Sequence, residues 1–111
     1  MVSERERRIG RNEALYRSVN ERIEDLNEAF GMTNTMTVVC ECGDASCAEG
    51  FDISVTDYER VRSDPTLFVI VPGHEIADVE DVVERTETFD VVRKREPETV
   101  EVARDLDPRS R

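Results

Sequence analysis

The sequence predicts an α+β protein: a long N-terminal helix followed by a small, mostly antiparallel sheet. Three observations carry that expectation. Residues 3–30 repeat apolar side chains at steps of three and four, residues 36–94 divide into short β-rich runs, and all three cysteines crowd into the eight residues Cys40–Cys47. The corresponding divisions are a helix over 1–31, a compact α+β unit over 36–94 and a charged, loosely ordered tail over 95–111, with a short helix or strand near Val100–Leu106. At 111 residues the chain fits one domain.

The helix is predicted from Ile9, Asn12, Tyr16, Val19, Ile23, Leu26 and Phe30, a heptad seam interrupted only by Asn12. Leu15 broadens the stripe. Ser3 and Glu6 have capping-box spacing, and Gly31 is placed to end the helix at C′. Glu4–Arg8, Glu13–Arg17 and Arg17–Glu21 stand four apart and lend modest support. Such a helix spans roughly 40 Å, more than a sheet this small needs for cover. Two readings follow. The helix lies across its own domain, or its seam pairs with a second copy, giving a homodimer, or with another helical protein. Asn12 either fixes register in such a seam or marks where contact ends.

After Thr33-Asn34-Thr35, the run Met36–Glu41 is β-rich and leads into the cysteines. Phe51, Ile53 and Val55 alternate with polar residues, as in a half-buried strand. Thr56 with Glu59 three residues on predicts a capped short helix, with Tyr58 and Val61 facing inward and Ser63-Asp64-Pro65 ending it. Leu67–Val71 reads as a buried strand running into the Pro72-Gly73-His74 turn. Val79–Arg85 and Phe89–Lys94 read as two further strands about Thr86-Glu87-Thr88, although a helical turn competes for 78–84. The acids Asp78, Glu80, Asp81 and Glu84 read as a solvated face, and Arg60 and Arg62 as partners of Asp57, Glu59 or Asp64.

Cys40, Cys42 and Cys47, with the single histidine His74, make a complete tetrahedral ligand set for Zn2+. On an extended backbone Cys40 and Cys42 point to one side. Gly43 permits the reversal that returns Cys47 over them, and His74 arrives from the end of the next long strand. A unit of about sixty residues buries little surface, and a metal staple suits it. Four protein ligands leave no position for a substrate water, so the zinc is expected to be structural. Asp44, Glu49 and Asp52 stand as alternative fourth ligands. A buried thiol cluster and a redox switch are the other readings of the cysteines.

The run Cys40-Glu41-Cys42-Gly43 through Cys47 is similar to the post-SET zinc knot of protein lysine methyltransferases, in which C-x-C-x4-C also supplies three ligands. Only a helix precedes it here, so the likeness implies zinc and not methyl transfer. The chain as a whole resembles a family of small uncharacterised bacterial proteins, actinobacterial in type. The resemblance runs through Glu6–Leu15, Val39-Cys40-Glu41-Cys42, Tyr58–Arg62, Phe68–Glu75 and Leu106-Asp107-Pro108-Arg109. It implies a zinc-knuckle-like module with a helical N-terminal extension and brings no activity or catalytic residues.

Net charge is −11. Residues 1–30 carry six Arg against seven acids, whereas 31–111 carry nine basic against nineteen acidic side chains. With no clustered basic face, the composition argues against nucleic acid as a direct partner and leaves solubility, or a basic protein surface, as the use of the acidity. No apolar run approaches the roughly 18–20 residues of a membrane span. The charged N-terminus is not a secretory signal, and the expected compartment is the cytoplasm, where thiols stay reduced or bind metal. Nucleotide-loop, nucleophile-elbow and H-E-x-x-H patterns are absent, so no enzyme is expected. The expected role is a regulatory or adaptor module acting through protein–protein contact. The alternatives are a thiol sensor that releases zinc on oxidation and a small metal-dependent hydrolase, which needs an open coordination position.

Overall fold

A computed structural model describes residues 4–29, 31, 34–44, 46–95 and 106. Helix α1 (Glu4–Ala29) is followed by strands β1 (Thr35–Val39) and β2 (Gly50–Ser54), helix α2 (Val55–Arg62), and strands β3 (Leu67–Ile70), β4 (Glu80–Arg85) and β5 (Asp90–Lys94). The expected α+β architecture is what the chain adopts. Ser3, Phe30 and most of the tail lie outside the described residues, so the first capping box, the last seam position and the segment at Val100–Leu106 (apart from Leu106) are not placed.

Strands β1 and β2 form an antiparallel pair in which Met36 faces Ile53 and Val38 faces Phe51. These four side chains are buried, whereas Thr37 and Asp52 join across the exposed face through a 2.6 Å hydrogen bond. Period-two alternation therefore sets the inward face of this hairpin. The second sheet is antiparallel in the order β3-β5-β4. A bulge between Val82 and Glu84 interrupts the β4 register and leaves Val83 exposed. The competition expected over 78–84 resolves by position: Val79 and Glu80 both donate to the Ile76 carbonyl, closing one turn before β4 begins. The Glu41 amide donates to the Val69 carbonyl at 2.9 Å and so links the cysteine segment to β3.

Helix α2 starts earlier than Thr56 and Glu59 predict. Ser54 is the N-cap: its backbone is still extended (φ −72°, ψ 149°) and its hydroxyl accepts from the Asp57 amide. Ser54 ends β2 with the hydroxyl already within reach of the first free amides, so Val55 enters the helix instead of extending the strand. Tyr58 and Val61 face inward as expected, packed with Phe68, Val69, Ile70, Val91 and Val92 in the core.

The inward face of α1 consists of Ile9, Gly10, Glu13, Ala14, Arg17, Asn20 and Glu24, a largely polar set at helical spacing. Arg17 donates to the Pro65 carbonyl at 2.6 Å and stacks 4.5 Å from the centre of the Phe68 ring. Lys94 reaches the same ring at 5.5 Å, within cation–π range. Its ammonium pairs with Glu13 and, at 3.1 Å, with Glu80. Glu13, read from the sequence as a partner of Arg17, is therefore held by Lys94. Glu80, read as part of a solvated face, is buried beside it. Glu21 pairs with Arg62 at 3.1 Å. Asp78, Asp81 and Glu84 do stay at the surface, pairing with Arg5, Arg95 and Arg60.

The expected seam is divided by this docking. Ile9 is buried, Asn12 donates to the Gly43 carbonyl at 2.9 Å, and Tyr16 sits 3.4 Å from the Asp44 carbonyl. Ile23 packs against the core, while Val19 and Leu26 are exposed. Gly31 takes φ +61°, the left-handed conformation of a helix stop, and its amide donates to the Glu28 carbonyl.

Burial, opposed by Lys94, holds the Glu13 carboxyl well above the usual carboxylate range, with the neighbouring Glu80 adding to the rise. The folded state therefore binds a proton that the unfolded chain releases. That contribution to stability is complete below the unfolded carboxylate range and is lost as pH rises toward the folded value. Glu13→Gln removes it. Denaturant midpoints at pH 5 and pH 8 are expected to fall more steeply with pH for the wild type than for E13Q; parallel behaviour would refute this role for Glu13.

Candidate metal centre

Beyond β1 the Cys40 amide still donates to the Glu49 carbonyl, and the chain bends at Cys42. The Cys40 and Cys42 sulfurs lie together, while the Glu41 carboxylate between them is held away by Asn20 and the Val69 amide, as side chains alternate on an extended backbone. Cys40 and Cys42 are buried, and Cys47 is half-buried. The reversal depends on Gly43, which takes φ +79° directly beneath α1. A Cβ there would lie 2.8 Å from Ile9 Cγ2 and 3.1 Å from the Ile9 carbonyl oxygen. The Asp44 carboxylate then accepts from the Ser46 amide and hydroxyl, and the Cys47 amide donates to the Asp44 carbonyl. These bonds close the loop and carry Cys47 back over the first two cysteines.

His74 is delivered from the far end of β3. Gly73 turns the chain at φ +86°, and its amide donates to Asp90, which Arg85 also holds. The His74 amide donates to the Val71 carbonyl, while the Val71 amide donates to Cys40 Sγ at 3.2 Å. Such an N–H aimed at sulfur favours the thiolate.

His74 Nδ1 lies 3.6 Å from Cys40 Sγ and 3.7 Å from Cys47 Sγ. The ligand atoms of Cys40, Cys42, Cys47 and His74 all fall within 4.8 Å of one another. Around a tetrahedral ion with bonds of about 2.3 Å to sulfur and 2.0–2.1 Å to nitrogen, the S···N edge is about 3.6 Å. The two observed separations match that edge. These four residues lie close enough to bind a metal ion, and no other such group of His, Cys, Asp or Glu occurs among the described residues.

The alternative fourth ligands are otherwise engaged. Asp44 holds Ser46, and Asp52 accepts from Thr37. Glu49 lies behind the imidazole, its Oε2 3.0 Å from His74 Nε2, on the nitrogen that faces away from the sulfurs.

Burial pushes the Cys40 and Cys42 thiols up, so without a cation both keep their protons. A metal must displace those protons to bind. On the opposite side, burial pushes Glu41 up to about 7, against the pull of its hydrogen bonds. Glu41 Oε1 accepts from the Val69 amide at 3.1 Å and Oε2 from Asn20 Nδ2 at 2.7 Å. Asn20 also bonds β1 in both directions, its Nδ2 donating to the Val39 carbonyl and its Oδ1 accepting from the Val39 amide, each at 2.8 Å. Sequence reasoning passed over both residues. For Glu41 the available signal was its spacing, since a residue between two cysteines that turn to one side must point the other way; Asn20 carried only its helical step from Glu13, Arg17 and Glu24.

Comparison with protein-family models, with curated proteins and with solved structures finds no match for this chain. No helix among the described residues is long and apolar enough to cross a membrane.

Asn20→Ala leaves a buried carboxyl and the Val39 amide each short of a partner, at a cost of about 1–3 kcal/mol or more. Urea denaturation is expected to show a loss of that size, accompanied by weaker metal binding, because Glu41 lies between two ligands. A change under about 0.5 kcal/mol, the range of ordinary surface substitutions, would contradict the role given to Asn20.

Proposed function

We propose that this chain is a small zinc-binding adaptor module, in which zinc is structural and the chain works through protein–protein contact without catalysis of its own. The observation that carries the reading is the match of the two S···N separations to the edge of a zinc tetrahedron. Three thiolates and an imidazole suit zinc among the common divalent ions. They fill its four positions and leave none for a substrate water. The adaptor part rests on the outer face of α1. Leu15, Val19 and Leu26 are 59%, 40% and 43% exposed, and their steps of four and seven keep them on one stripe. A second copy of the chain, or another helical protein, is the occupant such a stripe suits.

Native mass spectrometry of protein purified without added metal, compared with the denatured mass, tests both parts. One zinc per chain in a dimer is expected, and Val19→Glu with Leu26→Glu is expected to give monomers that keep the zinc. Absence of metal under reducing conditions would remove the central reading. A zinc-loaded monomer at high concentration would remove self-association and leave the hetero-partner.

A second reading, a thiol-based redox sensor, is favoured by one feature. Cys47 is the more accessible cysteine, and a cleft lined by Arg5, Ile9, Cys42, Gly43, Asp44, His74 and Ile76 opens beside the centre. Zinc release at low peroxide, followed with a metal-sensitive dye, is the expected signature of sensing. A site that survives prolonged exposure is a passive staple.

A further inference from the structure

We infer that Glu49 is the positioning residue that decides which nitrogen of His74 meets the metal. The inference rests on the zinc reading above and concerns how the fourth ligand is oriented. A neutral imidazole carries one N–H, and a nitrogen that binds a metal must be bare. Glu49 Oε2 lies 3.0 Å from Nε2, and an ionised carboxylate can only accept. The proton therefore sits on Nε2, and the Nδ1 lone pair points at the sulfurs of Cys40 and Cys47.

The same residue also acts through its backbone. The Glu49 carbonyl accepts from the Cys40 amide at 2.9 Å, immediately before β2 begins. One residue thus anchors a sulfur ligand by its main chain and the nitrogen ligand by its side chain. That double hold separates Glu49 from an ordinary surface acid near a histidine. Carboxylates behind metal-bound histidines typically contribute 10–100-fold to metal affinity. The Glu49 side chain is 62% exposed, so water can partly replace it and the effect belongs at the lower end of that range.

The test compares the full-length wild type with Glu49→Ala and Glu49→Gln. Zinc affinity is measured by competition with a chelator. The tautomer is read from 15N NMR of the imidazole, which is unambiguous because the chain has one histidine. In the zinc-loaded wild type, Nδ1 is expected to carry the metal and Nε2 a proton. E49A is expected to bind zinc about 10-fold more weakly and to lose the Nε2–H signal to solvent exchange. E49Q, whose amide oxygen can still accept a hydrogen bond from Nε2–H, is expected to recover part of both. Zinc affinity in E49A within twofold of the wild type, or metal found on Nε2, would overturn the inference while leaving the zinc site standing. A wild type that takes up no zinc would overturn the zinc reading, and this inference with it.

Discussion

An extended backbone cannot turn two cysteines toward one metal without sending the residue between them the opposite way. In Cys40-Glu41-Cys42 that residue is a glutamate, and the direction it takes is into the protein. A buried carboxyl needs partners, and it has them on two elements: the Val69 amide of β3 and the Asn20 amide group of α1. The placement of the two cysteines and the docking of the helix are consequently tied to opposite sides of one short segment. Asn20 strengthens the tie by bonding Val39 as a neighbouring strand would, so α1 is fixed to the edge of β1 as well as to the residue between the ligands.

The rest of the helix interface follows the same polar logic. Arg17 and Lys94 share the Phe68 ring, Lys94 stands between Glu13 and Glu80, and Arg62 meets Glu21. Charges in such positions add little net stability over an apolar contact of the same shape, because desolvation cancels much of the attraction. They do penalise misplacement strongly, since a helix shifted by one turn would leave several charges buried and unpaired. An apolar face would have tolerated sliding. Gly43, pressed against Ile9, gives the steric counterpart of this constraint: the loop and helix approach too closely for any side chain between them.

This polarity explains what the sequence conveyed and what it hid. The strands were legible because Met36, Val38, Phe51 and Ile53 keep strict alternation, and β3 because Leu67–Ile70 is an unbroken apolar run. Residue type and spacing alone pick out Cys40, Cys42, Cys47 and His74, which do lie close enough to bind a metal ion, but they mark Glu49 only as an alternative ligand, because its place behind His74 depends on the fold. The inward face of α1 was not legible. Glu13, Arg17, Asn20 and Glu24 have the periodicity of a buried stripe but the composition of a solvated one, and hydrophobic pattern reads only composition. The apolar seam drawn through Ile9, Ile23 and Leu26 crosses that face at an angle, so its members divide between core and surface. The start of α2 was displaced for a different reason: two hydroxyl residues, Ser54 and Thr56, both offer caps, and the strand's end decides between them.

The coupling of ligand geometry to helix docking has a thermodynamic consequence. A metal bound at Cys40, Cys42, Cys47 and His74 would favour the folded arrangement over the unfolded chain and stabilise it by an amount that grows with the logarithm of its affinity. Through Glu41 and Asn20 the docked position of α1 belongs to the same arrangement. Linkage then requires reciprocity: whatever free energy the metal adds to helix docking, docking returns to metal affinity. The thiols reinforce this, because burial raises Cys40 and Cys42 and leaves them protonated unless a cation is present. Loss of a bound metal would break its bonds and also return protons to the two buried sulfurs of Cys40 and Cys42.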